Sequence, residues 1–586
     1  MILKQRRIMM KNKAFNRTLK LIKRHMWLFI IAIICTIISV VSTLFIPIKV
    51  GEGIDMIIDF HNVDFNSLYS LLVVIGIIIA CNAISSFLMQ LLMNILINKM
   101  MKDLRCQVFD KLINVPISFI DSHSHGDLIM RIIGDIDQLG DGLLQAFTQL
   151  ISGVITIVIT LVFMFSVSYQ VALIVVCLTP ISLIVASLIA RFSFKTMQKQ
   201  AEIKGRLSAH TNEMMDMQRV VISYDYQQKS IEKFKNINNE LAKVGVKAQF
   251  LSSLVNPSTR FINSIVYAFV GVFGALKAIS GTFSVGNLTV FLSYASSYTK
   301  PFNDISSVAA EFQNALASAV RIFEIIDVKD EVEDANAIIK PNYIGHVKFD
   351  NVSFKYVENR PLIENFSLDI KPGSQVAIIG PTGSGKTTII NLLMRFYDVG
   401  SGAILIDDTD IKKIKRDNLH EGLGMVLQDT WLFKGSVYDN IRYAKPDATK
   451  EEIIMAAKES FAHNFIERLP NGYDTIISDD SGLSIGEKQL LCIARLMLKR
   501  PPILILDEAT SNIDTRTEVL IQKAFKKLMT NKTSFIIAHR LSTIIHSDLI
   551  IAMKDGHIME TGTHEELMRK KGFYYQIYEA QFVKEL

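Results

Sequence analysis

Apolar and polar positions change their rhythm about halfway along the chain. Residues 26–48 carry no charge and are long enough to cross a bilayer, which takes about 20 residues. A second uncharged run covers 65–98, and a third, 142–190, is too long for one helix. The third divides at 166–170, SVSYQ, into two helices with a tight turn. Runs at 261–276 and 285–309 complete a set of six. One such run fits a buried helix of a soluble protein, but six in one half do not. They predict an α-helical six-span membrane domain over 1–327. The connections 99–141 and 191–260 contain little turn punctuation, so helices should run on beyond the spans. Pro180 is expected to kink the fourth span, with neighbouring helices satisfying the freed carbonyl. Lys300–Pro301 marks a place where the sixth can break. After a charged, irregular linker at 328–341 the rhythm shortens. Short β-branched runs alternate with helical stretches, the pattern of an α/β nucleotide-binding domain over 342–586.

Composition agrees with a membrane protein: of 586 residues 49% are hydrophobic and only 20% charged, unusual for a soluble ATPase. The net charge of +6 suggests nucleic acid until it is located. Nine Lys/Arg and no acid lie in 1–25, directly ahead of the first apolar run. A basic flank there reads as a cytoplasmic anchor and argues against a nucleic-acid partner. A cleaved signal peptide is disfavoured, because the run is too long and lacks a small-residue cleavage site. The loop after the first span holds Glu52, Asp55, Asp59 and Asp64 against Lys49 alone and should face outward. The long Lys/Arg-rich connections face inward. An even number of spans then puts both termini and the second domain in the cytoplasm, at the cell (plasma) membrane.

Other candidate chemistry is thin in this half. Five scattered cysteines without CxxC spacing suggest neither a disulfide framework nor a zinc site. His123 and His125 read as a polar loop rather than metal ligands. Asn82, Gln90, Gln149, Asn263 and Asn287, with Tyr267, Phe269, Phe273, Phe291 and Tyr294, either line a cavity or bond and pack between helices. No acidic residue reads as buried mid-span, which argues against an ion-driven relay.

The second half carries the chemistry. Residues 377–388 read AIIGPTGSGKTT, in which Gly380, Gly385, Lys386 and Thr387 satisfy the phosphate-loop pattern. An apolar strand precedes it and a helix follows. Thr382, Gly383, Ser384 and Thr388 complete the loop expected to wrap the ATP phosphates with backbone N–H groups. Lys386 adds positive charge, Thr387 can hold Mg²⁺, and the glycines let the backbone approach closely. Residues 503–506, ILIL, form a buried strand ending in Asp507 and Glu508. Asp507 is placed to reach Mg²⁺ through water, and Glu508 to polarise an attacking water.

Between these motifs lies 483–489, LSIGEKQ, ahead of an apolar helix. It resembles the LSGGQ signature of the ATP-binding cassette family, matching at Ser484 and Gly486, at a helix N-terminus suited to an anion. Further matches follow the family's order. Tyr356 resembles the aromatic that stacks on adenine, and Gln428 the residue that senses Mg²⁺. Ser511 and Asp514 fall in the loop crossing the dimer interface, and His539 resembles the γ-phosphate switch histidine. In the first half, 114–137 resembles the first cytoplasmic loop of ABC exporters at Pro116, Phe119, Asp121, Gly126, Asp127, Arg131 and Asp135. The segment from Asn212 and Glu213 to Val221 is similar to the other coupling helix. The whole chain resembles one half of a bacterial ABC exporter.

That resemblance implies ATP hydrolysis coupled to transport, with each ATP held between one phosphate loop and the partner's signature helix. Closure of the cassettes would turn an inward-facing cavity outward. Two departures matter. Ile485 replaces a signature glycine, and Glu487 replaces Gln and brings a negative charge near the partner-bound triphosphate. Lys386, Asp507, Glu508 and His539 are intact. The expectation is the catalytically intact half of a heterodimer, lending a weakened signature to its partner; a homodimer is the alternative. Fusion of spans and cassette favours export, although an exporter-shaped importer, or an ATP-gated channel or sensor, is also compatible. A processing peptidase domain has no room before residue 26. Drug, lipid and peptide substrates, as in multidrug or lipid efflux, all fit a mostly apolar cavity.

Overall fold

The structure is a computed structural model that describes residues 2–58, 65–331, 337–427, 430–478, 482–507, 513–537 and 544–580. The chain folds into two compact units. One is Met1–Ile113 with Ser124–Val328; the other is Asn114–His123 with Lys329–Leu586.

The first unit is helical. In order come α1 (Ile2–Lys23), α2 (Met26–Ile58) and α3 (Phe65–Asn114). After α4 (Ile117–Asp121), which belongs to the other unit, follow α5 (His125–Ile132) and α6 (Gly134–Gln145). A π-helical turn, Ala146–Ile151, leads into α7 (Ser152–Val167). Then come α8 (Tyr169–Asp216), α9 (Gln218–Ser223), α10 (Gln227–Ser253), α11 (Val255–Ile279) and α12 (Val285–Ile326). Among the described residues, four stretches are long and apolar enough to cross a membrane: Met26–Ile57, Phe65–Asn114, His125–Val167 and Gln227–Ile279. Tyr169–Ile181 is a shorter apolar stretch of α8. With α12, six helical passes result.

The long uncharged run divides where expected, at Ser168, whose extended backbone (φ −161°, ψ 112°) separates α7 from α8. The helices do run on. At 50 residues, α3 is about 75 Å long, far more than a roughly 30 Å hydrocarbon core. Helix α8 is continuous through Pro180 and α12 through Pro301, so neither proline ends its helix.

The spans pack through small residues and aromatics rather than through a hydrophobic driving force. A Cβ on Gly286 would lie 2.2 Å from the Gly51 carbonyl oxygen, so only glycine allows α2 and α12 this crossing. Asp55 closes the same crossing by accepting from Gly286 N at 2.7 Å. Deeper, Tyr294 is fully buried and donates to the Leu44 carbonyl at 2.9 Å. Phe291 packs in the same core. Large side chains such as Ile77, Phe87 and Val162 point outward, as a lipid-facing surface requires.

Outside the spans, ion pairs accompany buried apolar residues such as Ile136, Leu139 and Ile322. Asp135 is buried and accepts from Arg321 Nε at 2.6 Å, from Arg321 Nη2, and from Ser318 Oγ at 3.0 Å. The Asp135 hydrogen bond raises the Arg321 pKa further, against the effect of burial. Arg131 bridges Asp127 at 2.9 Å and Glu324 at 2.8 Å. Lys13, at 2.9 Å, and Arg17 both pair with Asp327 at the end of α12.

The second unit holds the sheets. Strands β1 (Val347–Phe354) and β2 (Ile363–Ile370) precede β3 (Gln375–Ile379). They are followed by β4 (Ser401–Ile406), β5 (Thr409–Asp410), β6 (Leu423–Val426), β7 (Gly435–Ser436) and β8 (Ile476–Ile477). The last are β9 (Ile503–Asp507), β10 (Thr533–Ile537), β11 (Leu549–Lys554) and β12 (His557–Gly562). Among the described residues the main sheet runs β12-β11-β3-β10-β9-β6, parallel except for β12. An antiparallel sheet runs β2-β1-β4-β5, and β7 pairs β8. Strands β3, β9, β10 and β11 are nearly continuous apolar runs because both faces of a parallel sheet are covered.

The Asp135 cluster gives a testable stability effect. Arg321→Ala leaves a buried carboxylate without its cation. Because Arg321 is itself half-exposed, the expected cost is about 1–3 kcal/mol rather than the full penalty of breaking a buried pair. Thermal unfolding in detergent, read by size-exclusion fluorescence, should show a lower midpoint for Arg321→Ala and a smaller drop for Arg321→Lys. An unchanged midpoint for Arg321→Ala would mean that Asp135 is satisfied without the guanidinium.

Candidate functional site

The main sheet brings its chemistry to the carboxyl ends of its strands, where open α/β sheets bind ligands. β3 ends at Ile379 and the chain turns sharply into the helix Lys386–Leu393. Gly380, Gly383 and Gly385 have φ of 153°, 82° and 98°. At Gly380 a Cβ would lie 2.2 Å from the Met553 carbonyl oxygen of β11. The loop can therefore press against β11 only with glycine there.

A cavity of about 560 Å³ opens above this loop. It is lined by Thr382, Gly383, Ser384, Gly385, Lys386, Thr387 and Thr388, with Tyr356 on one side and Asp507 on the other. Asp507 reaches it because β9 and β10 pair Ile537 with Asp507, next to the loop strand. Lys386 Nζ donates to the Gly380 carbonyl at 2.8 Å and the Pro381 carbonyl at 3.1 Å, which curls the ammonium over the loop. Burial lowers its pKa, and the negative charge of Asp507 works the other way.

The cavity suits a triphosphate. Ser384 is 1% exposed and its Oγ has no hydrogen-bond partner among the described residues. An orphaned buried hydroxyl beside a cation and a glycine-shaped cradle is what an anion would satisfy. Thr387 and Asp507 supply hard oxygen donors to the same space, the kind Mg²⁺ takes.

Tyr356, which sequence similarity assigns to adenine, is half-exposed at the cavity mouth. Its ring packs edge-on against Phe354 at 4.8 Å and Tyr397 at 5.0 Å between centroids. Its hydroxyl accepts from Asn391 Nδ2 at 3.4 Å. Tyr397 had no sequence signal of its own. Neither did Val357, Arg360, Leu362 and Ile537, which also line the cavity.

Ser484, Gly486 and Asp514 do not line this cavity. Ser484 caps the helix Ile485–Lys499. Its hydroxyl accepts from Glu487 N at 3.2 Å, while the Glu487 carboxylate accepts from Ser484 N at 2.9 Å and Ser484 Oγ at 3.0 Å. Gly486 is buried, and a Cβ there would lie 2.4 Å from Thr517. Ile485 faces out, half-exposed. Asp514 caps the helix Thr515–Met529 and accepts from Thr517 N at 2.9 Å, which lowers its pKa. Gln428, Glu508, Ser511 and His539 lie outside the described residues, as do Asp59 and Asp64.

Among the described residues of the helical unit, two cavities stand out for their polar side chains. One, of about 670 Å³ between α11 and α12, is lined by Thr259, Arg260, Asn263, Ser264, Tyr267, Ser296, Thr299, Lys300 and Asp304. The other, of about 270 Å³, includes Thr43, Gln149, Ser152, Thr156, Ser297, Lys300 and Asp304. Gln149 reaches it from the π-helical turn. Asp304 of the sixth span belongs to both cavities. It is half-buried in an unbroken α12, because Lys300–Pro301 does not end the helix. Of the polar span residues, Gln149, Asn263 and Tyr267 face cavities, whereas Asn82 accepts from Ser39 at 2.6 Å between α2 and α3.

Residues 29–302 match the family model for the ABC transporter transmembrane region, and 363–511 the model for ABC transporter. The chain is 43% identical over 490 residues to the fatty acid ABC transporter ATP-binding/permease protein of Mycobacterium bovis, covering 83% of this chain and 78% of that one. It is 36% identical over 584 residues to the Bacillus subtilis uncharacterized ABC transporter ATP-binding protein YfiC, at 98% and 96% coverage. An ATP-dependent lipid A-core flippase of Syntrophus aciditrophicus is 32% identical, at 97% and 94%. Among solved structures, a bacterial Atm1-family ABC exporter with ATP bound superposes with a TM-score of 0.79 and 26% identity, over 96% of this chain and 98% of that one.

Lys386→Ala should weaken binding of a fluorescent ATP analogue by about tenfold or more, since a hydrogen bond to a charged group contributes roughly 1.5–3 kcal/mol. Titration by fluorescence anisotropy measures it. Affinity equal to the unsubstituted chain would remove Lys386 from the phosphate site.

Proposed function

Because the chain belongs to the ABC transporter family, a multi-pass membrane protein whose hydrolysis of ATP drives transport, we propose that it exports an amphipathic anion. The observation that carries this reading is the charge of the larger span cavity. Arg260 and Lys300 share it with a single carboxylate, Asp304. Arg260 stands at the inner end of the fifth span, while Lys300 and Asp304 lie within the sixth, where ionisable groups are costly and mark a substrate path by default. Hydroxyl and amide side chains complete a polar pocket for a headgroup, beside helices whose apolar surface suits a tail. A fatty acid transporter and a lipid A-core flippase among the relatives act on molecules of this kind.

In the cassette, the loop N–H groups and Lys386 hold the phosphates and Tyr356 stacks on the base. Thr387, Gln428 and Asp507 would hold Mg²⁺, which neutralises phosphate charge when bound. Glu508 polarises the attacking water and His539 contacts the γ-phosphate. Ser484 and Gly486 reach the partner's ATP, with Ser511 and Asp514 at the dimer interface. Both termini are cytoplasmic and the membrane is the cell membrane. The partner is a second half-transporter, and we favour a different chain. The Glu487 carboxylate engages the two Ser484 donors that a partner-bound phosphate would need.

The test uses the chain in lipid nanodiscs, alone and with a co-expressed neighbouring half-transporter, beside Glu508→Gln. ATP turnover should need the pair and fall to background with Glu508→Gln; an active dimer of this chain alone would overturn the heterodimer. Laurate should stimulate turnover more than dodecyltrimethylammonium. Arg260→Ala with Lys300→Ala should raise the half-stimulating laurate concentration by about tenfold, roughly 1.4 kcal/mol. Equal stimulation by the cation would overturn the anionic substrate. Depletion rather than accumulation of laurate in inside-out vesicles would reverse the direction.

A further inference from the structure

Tyr397 joins the two chain segments of the second unit. Its ring, just past the helix Lys386–Leu393, lies 5.0 Å from Tyr356 at 88° and 5.7 Å from Phe354 at 67°, closing an edge-to-face cluster with the end of β1 and the turn after it. Its hydroxyl lies 2.5 Å from Asp121 Oδ2, at the last residue of α4. Burial and the Asp121 hydrogen bond both raise the phenol pKa, so the hydroxyl is the donor. α4 sits in the segment 114–123, which packs with the cassette although α3 and α5 on either side belong to the helical unit.

Tyr397 stands on a hydrogen-bonded base. Arg395 is buried, donates to the Ile411 and Ile414 carbonyls at 3.0 and 2.9 Å, and meets Asp398 at 3.3 Å. Arg416 donates to the Arg395 carbonyl and pairs with Glu331 at 2.9 Å. Residues on both sides of Tyr397 are thus fixed, and its side chain is held at the ring and at the hydroxyl by different partners. Tyr356, by contrast, is half-exposed at the cavity mouth.

We propose that Tyr397 is a positioning residue that buttresses the base-stacking Tyr356 and ties it to Asp121, so that occupancy of the nucleotide site is read directly by α4. This rests on Tyr356 stacking the base. A base on Tyr356 restricts that ring, the restricted ring fixes Tyr397, and the fixed hydroxyl holds Asp121. Coupling of this kind is reciprocal. The signal reaches α4 within one chain, without passing through the partner's cassette.

The three contacts separate by substitution. Tyr397→Phe keeps the ring and removes the donor. Asp121→Asn keeps an oxygen but removes the charge. Tyr397→Leu removes the buttress. The readout is hydrogen exchange of the 114–123 amides in the full chain in nanodiscs, with and without AMP-PNP and Mg²⁺, beside nucleotide titration. In the unsubstituted chain, nucleotide should slow exchange at 114–123 by about fivefold or more. Tyr397→Phe and Asp121→Asn should lose that slowing while half-saturation stays within about twofold. Tyr397→Leu should raise half-saturation by about fivefold, the scale of an aromatic pair. Tyr397→Phe that keeps the full slowing, or nucleotide that leaves 114–123 unchanged in the parent chain, overturns the proposal. Tyr356→Ala keeps the two readings apart: unchanged nucleotide affinity there would refute base stacking itself, whatever Tyr397→Phe does. A merely structural role would shift affinity and exchange together in all variants, which also overturns it.

Discussion

Hydrocarbon offers a backbone no hydrogen-bond partner, so a chain crossing it must satisfy itself, and a helix is the way a single segment can. Most of what this molecule does descends from that constraint. Once formed, a helix has no reason to stop at the membrane surface unless the sequence ends it. α3 and α8 carry on for 50 and 48 residues in all. What ends α3 is Pro116, which caps α4 without a side-chain hydrogen bond. The extensions bury apolar residues such as Leu104, Ile136, Leu139 and Ile322, and ion pairs join that packing. Asp135 with Arg321, Arg131 with Asp127 and Glu324, and Asp327 with Lys13 and Arg17 all gather near the end of α12.

The cassette answers a different demand, exposing backbone N–H groups to an anion while keeping the sheet dry. β3 can be almost wholly apolar because the polar work begins only at Gly380. There the absence of a side chain lets the loop touch the Met553 carbonyl. The cost is a loop of left-handed glycines and a buried Ser384 hydroxyl without a hydrogen-bond partner among the described residues. Such local departures from good packing are expected where a ligand completes the structure.

Some of this was legible along the chain. The six spans and the phosphate loop were, because hydrophobic runs and a glycine-lysine loop are local patterns whose meaning does not depend on distant residues. The break at Ser168 was legible for the same reason. Tyr397, Arg360 and Asp304 were not. Tyr397 matters only because Tyr356, 41 positions earlier, and Asp121, 276 positions earlier, come to it. Asp304 lies inside the predicted 285–309 run, but its place on two cavity walls depends on residues of α2, α7 and α11.

Ser484 shows how one residue can be claimed by two rules. At a helix N-terminus, Ser followed three residues later by Glu makes a capping box, which stabilises the helix by about 0.5–2 kcal/mol. The same N–H and hydroxyl are what a phosphate would use. With glutamine at 487 the cap could form without a charge, and an arriving phosphate would meet no repulsion. With Glu487 the carboxylate already takes both donors, at 2.9 and 3.0 Å, and an anion must displace a like charge to bind. Stability of the signature helix and affinity for the partner's nucleotide are therefore opposed in this chain. That opposition costs least where the site served by this helix need not turn over, which is the ground for proposing a dimer of unlike halves.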